Sequence, residues 1–264
     1  MAKSKSAKLV VGAIVLCLGV VLVTPGQKTY ITKDKKISLS MAKQPVGLVF
    51  RELMRRYDIL IGFEKSPSDF GSYDFDFETN PSEPAAIAQT QVGDLQIDGE
   101  VTRTFEAQKY LITLNAKDER LEDVLDSIVS QMAHYQWELN EGVVNIFPTL
   151  IRDKKLETLL AMRIDKFTFR AGRPISEITK NLKNLPELRK YLDENNLVFS
   201  GVRTGPNVLV RAQYGKRIDQ DMSFSNLTFR ELLNKITLVK RGSWVVRIVS
   251  RPKLGKPQHI DIDI

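Results

Sequence analysis

An α+β protein of two tandem small domains, each made of short sheets packed with two helices, is what this sequence predicts. Three observations predict it. Short alternating strands switch four times into helix-period stripes, the stripes run in the order short, full, short, full, and each is apolar on one side only, so each helix needs a sheet to cover it. Ahead of these units stands a hydrophobic segment.

The segment is "LVVGAIVLCLGVVLV", Leu9–Val23, preceded by Lys3, Lys5 and Lys8 and ended by Pro25-Gly26. A positive leader followed by an apolar run is the layout of an export signal. No Ala-x-Ala site follows, so the reading favours a retained inner-membrane anchor through residues 9–24 over a cleaved leader. In both cases the rest of the chain is expected outside the cytoplasm. The single Cys17 follows Leu16, which is not the small residue a lipoprotein signal needs, and the remaining chain has no thiol. Residues 1–26 are thus read as signal or anchor and 27–36 as a linker.

The first unit, 37–148, opens with the short form "ISLSMAKQPVGLVFRELMRRYDILIGFE". It reads as a strand, a helix with Pro45 at its first position and a stripe of Val46, Val49, Phe50, Leu53 and Tyr57, then a returning strand. After an insertion, 66–108, comes the full form. The strand "ITLNA" leads into a helix striped by Leu121, Val124, Leu125, Ile128 and Met132, and "YQWEL", "NEG" and "VVNIFP" make a hairpin. Asp118 is expected to cap this helix, with Glu119, Glu122 and Asp123 complementing its dipole and Asp126 on its wet side.

The second unit, 157–250, repeats the pattern. "FTFRAGRPISEITKNL" is the short form, with Pro174, Ile175, Ile178 and Leu182, and an extra helix restarts at Pro186 and stops near Asn195-Asn196. "MSFSNLTFRELLNKITLVKRGSWVVRIV" is the full form, with a stripe of Phe229, Leu232, Leu233 and Ile236 and Thr228 and Glu231 at capping-box spacing. Trp137 and Trp244 take matching hairpin positions, where core packing explains them. Residues 251–264 read as a tail, with "HIDIDI" at most an added edge strand.

On these residues the first unit resembles an STN domain, the short N-terminal domain shared by secretins and TonB-dependent transducers. The likeness lies in "ITLNA", the "LEDVLDSI" helix and the "Y-x-W-x-L…VVNIFP" hairpin, and residues 164–249 are similar to a more distant second copy. The resemblance implies a non-enzymatic periplasmic module that binds partners through sheet edges. No secretin or barrel region follows in this sequence, which departs from the family's plan.

Charge is uneven. Nine acids stand against Arg103 in residues 66–108, while residues 149–264 carry 23 basic and 12 acidic side chains, so the two regions are expected to attract each other or to separate partners. The basic residues form no run beyond "KR" or "KK" and no aromatic-rich pattern, which argues against nucleic acid.

Chemistry has few candidates. In "YDFDFE" an extended strand turns Asp74, Asp76 and Glu78 to one side, a weak Ca²⁺ candidate set; an acidic edge that discourages aggregation explains it better. Asp94, Asp98 and Glu100 read as turn residues. His134 and His259 stand apart without ligand partners, and His134 suits a helix C-terminus. "SGVRTGPNVLVRAQYGKR" reads as a hairpin and not a phosphate loop. No catalytic residue, cofactor, metal or small-molecule substrate is assigned. The function expected is a cell-envelope interaction module whose partners are envelope proteins or a second copy. The alternatives are a carboxylate- or metal-dependent enzyme built on the insertion, and a binder of anionic lipid or polyanion through the basic second unit.

Overall fold

The computed structural model describes residues 31–66, 110–150, 153–200, 217–249 and 258–264. The first unit runs β1 (Lys36–Pro45), α1 (Val46–Tyr57), β2 (Leu60–Glu64), β3 (Leu111–Arg120), α2 (Leu121–Ser130), β4 (Tyr135–Asn140) and β5 (Val143–Pro148). A connecting helix, α3 (Lys154–Ala161), leads into β6 (Arg163–Phe169), α4 (Ser176–Lys183), α5 (Pro186–Glu194), β7 (Leu197–Ser200), β8 (Met222–Thr228), α6 (Phe229–Lys240), β9 (Ser243–Val249) and β10 (Gln258–Asp263). The fold is α+β, as the stripes predict.

Local chemistry sets most of the boundaries. Pro45, expected as the first helical residue, is instead the last residue of β1, at the N-cap position of α1 and without a side-chain cap bond, and Asp58 ends the helix in the left-handed region at φ 54°, its N–H returning to Met54. Helix α2 starts after Arg120, whose side chain makes no cap bond. Asp118, expected as the cap, lies inside β3 at φ 57° and donates its N–H to Ser38 Oγ at 2.9 Å. The strand keeps Asp118 because pairing with β1 runs up to Arg120. Glu122 and Asp123 do lie in the first turn of α2, where the dipole favours them. His134 falls past the end of α2 at φ 67°, and its carbonyl accepts from Thr149 N–H at 2.6 Å.

The capping box of α6 forms as read. Thr228 Oγ1 accepts from Glu231 N–H at 3.2 Å, and the Glu231 carboxylate accepts from Thr228 N–H at 2.7 Å. That second bond is the main reason the Glu231 carboxyl is held below its ordinary value, against a smaller opposing effect of burial. A carboxyl with a depressed folded pKa contributes stability above its unfolded pKa and loses it as pH falls through the folded one. Thr228→Ala should therefore cost about 1 kcal/mol at neutral pH. In the acid limb of a thermal-stability profile, Glu231→Gln should lose less on acidification than the parent chain does.

Each unit has the same topology. In the first, β1 pairs antiparallel with β3, and β2 lies parallel to β5, which is antiparallel to β4. In the second, β6 pairs antiparallel with β8, and β7 lies parallel to β10, which is antiparallel to β9. In the first unit α1 and α2 each touch both the two-stranded ladder and the three-stranded sheet; in the second α6 does so, and α5 packs on β7 and α4. The inward residues form two cores. One gathers Ile37, Phe50, Leu53, Ile61, Phe63, Leu125 and Ile128; the other gathers Leu159, Phe167, Ile178, Leu188, Leu232, Ile236 and Trp244.

Two sequence readings change here. The two units are not separate sandwiches, because their three-stranded sheets merge into one sheet of order β4-β5-β2-β9-β10-β7. Residues 258–263 are not a tail, and "HIDIDI" is not an edge. They form β10, between β9 and β7, with Ile260 and Ile262 fully buried. The alternating acids that make this stretch look solvated sit on the other face, where Asp261 accepts from Arg247 Nε at 2.9 Å. The second unit therefore extends to residue 263.

Candidate interaction edges

The merged sheet is held at one junction, β2 against β9, in parallel register from Ile61↔Ser243 to Glu64↔Val246 and continued by Lys65 N–H to Val246 O at 2.9 Å. Residues paired across a ladder share a face. Phe63 and Val245 both belong to the first core, whereas Gly62 lies under Trp244 of the second core. The two units therefore put their helices on opposite faces of the sheet. A row of Trp137, Ile146, Phe63 and Val245 crosses the first face, and a row of Glu138, Asn145, Gly62 and Trp244 crosses the second.

Helix α6 lies over that second row. Trp244 is fully buried and donates Nε1–H to Asn234 Oδ1 at 2.8 Å. The ring needs a strand residue without a side chain beneath it: a Cβ on Gly62 would stand 2.3 Å from its Cε2. Beside it, Arg230 pairs with Glu64, which has no exposed surface, stands 3.7 Å from Glu138, and lies over the Phe147 ring at 5.6 Å. Lys235 reaches Glu141 at 2.5 Å, and Arg241 reaches Asp58 at 2.6 Å. In these four ion pairs the base comes from the second unit and the acid from the first. The attraction expected of the acidic insertion 66–108 concerns acids outside the described residues; the ion pairs between the units use Asp58, Glu64, Glu138 and Glu141 instead.

The junction buries both faces of the first unit's sheet. Every residue of β2 and of β5 is buried, as strands covered on both sides require. The Asn145 amide, fully buried in this layer, has no hydrogen-bond partner among the described residues. What remains is one strand edge at each end of the sheet, β4 and β7, with no described strand beyond either. On β7, Val198 is 43% exposed while its neighbours Leu197 and Phe199 are buried. On β4, Trp137 is only partly buried; it donates Nε1–H to Asp126 Oδ1 at 2.7 Å and carries Lys33 Nζ 5.2 Å above its ring.

Trp137 with Asp126 and Trp244 with Asn234 are one device used twice. Each tryptophan hydrogen-bonds the sixth residue of the preceding helix. The sequence signal was the near-equal spacing, but reading Asp126 as a solvent-face acid hid it.

Asp74, Asp76 and Glu78, with Asp94, Asp98 and Glu100, lie outside the described residues, as do residues 201–216, which the sequence reads as a hairpin, and the apolar segment 9–24. Among the described residues no group of three or more His, Cys, Asp or Glu side chains comes together, and no helix is long and apolar enough to cross a membrane. A shallow hollow of about 570 Å³ beside α3 and α5 is lined by Lys154, Glu157, Thr158, Ala161, Met162 and Tyr191, without two converging carboxylates. Tyr191 there is mostly buried, donates its hydroxyl to Lys155 O at 2.5 Å, and has its pKa pushed up to about 12, first by burial and then by Asp153. Compared with family models, curated proteins and solved structures, the chain matches none.

Proposed function

We propose that the chain is a non-enzymatic, cell-envelope interaction module of two STN-like units that recognises protein partners through the edges of its sheet. One observation carries the reading. The chain already joins its own two units by edge pairing, and it leaves one edge at each end of the same sheet without a described neighbour. An unpaired strand edge is a row of backbone donors and acceptors that another strand can satisfy. The topology, used twice, supports the resemblance of both units to one kind of domain, and the apolar segment 9–23 with its basic leader supports placement in the envelope.

The test is site-specific photo-cross-linking of the full chain in intact cells. A photoreactive phenylalanine at Gln136 on β4 or at Val198 on β7 should yield discrete adducts with envelope proteins or with the chain itself. The same probe at Lys180, on the exposed side of α4, should yield far less. Equal labelling at all three positions, or none at either edge, would remove the reading.

A further inference from the structure

The internal junction follows a rule. Within each unit the three strands lie in the same order, β4-β5-β2 and β9-β10-β7, and the last strand of the first unit accepts the first strand of the second in parallel. The two strands left at the ends of the merged sheet are the counterparts of the two that join. Strand β7 corresponds to β2, and β4 corresponds to β9. Applied between two molecules, the rule would set β7 of one copy parallel to β4 of the next.

Among the described residues, three observations set these ends apart from the junction. Trp244 on β9 is fully buried by the junction, while its counterpart Trp137 on β4 remains partly exposed. Strand β2 is buried along its whole length, while β7 presents Val198 at 43% exposure. Strand β5 is buried on both faces because α6 of the second unit covers its back. Its counterpart β10 is buried only at Ile260 and Ile262, with His259, Asp261 and Asp263 half-buried. Helix α2 of another copy, the counterpart of α6, would stand over that back face as α6 stands over β5. Charge does not drive this: the back of β10 carries Asp261, already paired with Arg247, and Asp263, and α2 carries Glu122, Asp123 and Asp126, so the contact rests on strand pairing.

We infer that the protein self-associates head to tail, β7 of one copy adding in parallel to β4 of the next, so that the merged sheet continues from molecule to molecule. The contact is heterologous, since each molecule offers two different surfaces, and it propagates as a ring or an open chain according to the rotation per step. This rests on the reading of the chain as an edge-pairing module and names a second copy as the occupant.

Charged side chains on an edge oppose strand addition, so Val198→Lys and Gln136→Lys each block one end at an exposed position. The full chain and both variants are examined in detergent micelles by sedimentation velocity at roughly 100 micromolar, where a micromolar contact is populated. The parent chain should form oligomers, and each variant alone should associate about tenfold or more weakly. An equimolar mixture should give a dimer of one Val198→Lys and one Gln136→Lys molecule, because each keeps the end the other lacks. An isologous contact, or association through the apolar N-terminal segment, cannot give that complementation. Thermal melts separate blocked association from lost folding, and either variant alone suffices if the other does not fold.

A parent chain that stays monomeric overturns the inference, as do variants that associate like the parent or a mixture without a heterodimer. If Val198→Lys lowers the melting temperature and leaves association unchanged, the occupant of β7 is a segment of the same chain, and the inference is overturned in that way. Loss of self-association with retained edge adducts to other envelope proteins leaves the proposed function standing. Loss of both removes it.

Discussion

Arg230→Ala is expected to destabilise the protein by about 3–5 kcal/mol, the range for removing one partner of a buried ion pair. Glu64 has no exposed surface, and Arg230 pairs with it from the other unit. The substitution also removes the guanidinium from the Phe147 ring, a contact of about 0.5–1 kcal/mol. The contact with the part-exposed Glu138 adds little. Replacing both partners, Glu64→Gln with Arg230→Met, should recover most of the loss, because desolvation of the remaining carboxylate is what makes the single change severe. Urea unfolding of the two variants beside the parent decides it. A loss below about 1 kcal/mol for Arg230→Ala would mean that the pair contributes no more than a surface one.

Gly62→Ala tests the same junction from the strand. The new methyl would lie 2.3 Å from Trp244 Cε2 and 2.6 Å from its Nε1, and the ring cannot withdraw easily while its Nε1–H is bonded to Asn234. Forcing a methyl into such a core costs about 1–3 kcal/mol. For a chain of this size that lowers the melting temperature by roughly 2–12 °C. Trp244→Leu should be destabilising alone, yet the double variant should lose less than the sum of the two, since the clash disappears with the ring. Additive losses would show that Gly62 and Trp244 do not share the space the junction gives them.

The repeat was legible because it is written in side-chain period. Leu121, Val124, Leu125 and Ile128 on α2, and Phe229, Leu232, Leu233 and Ile236 on α6, are buried as their spacing requires. The capping box at Thr228 was legible for the same reason, being a local bond between residues three apart. The junction was not, because it depends on an absence. A glycine inside "LIGFE" reads as a weakness in a strand until Trp244, far along the chain, is known to lie on it. Asp118 misled because a short acid before an apolar stripe has the look of a cap, while the ladder with β1 holds it in a strand. "HIDIDI" misled because alternation marks one covered face and says nothing of whether the strand has neighbours on both sides.

The pairing of β2 with β9 also sets an order in time. Gly62 and Trp244 are about 180 residues apart, so at typical synthesis rates β9 is made roughly 10–40 seconds after β2. Through that interval the first unit has all of its described strands but lacks the cover for Gly62, Asn145 and Glu64. The nascent first unit is a half-roofed sheet with a polar patch where its partner strand belongs, and anything strand-like that arrives sooner competes for that place. The speed at which the second unit follows is thus part of what determines whether the chain pairs with itself or with a stranger.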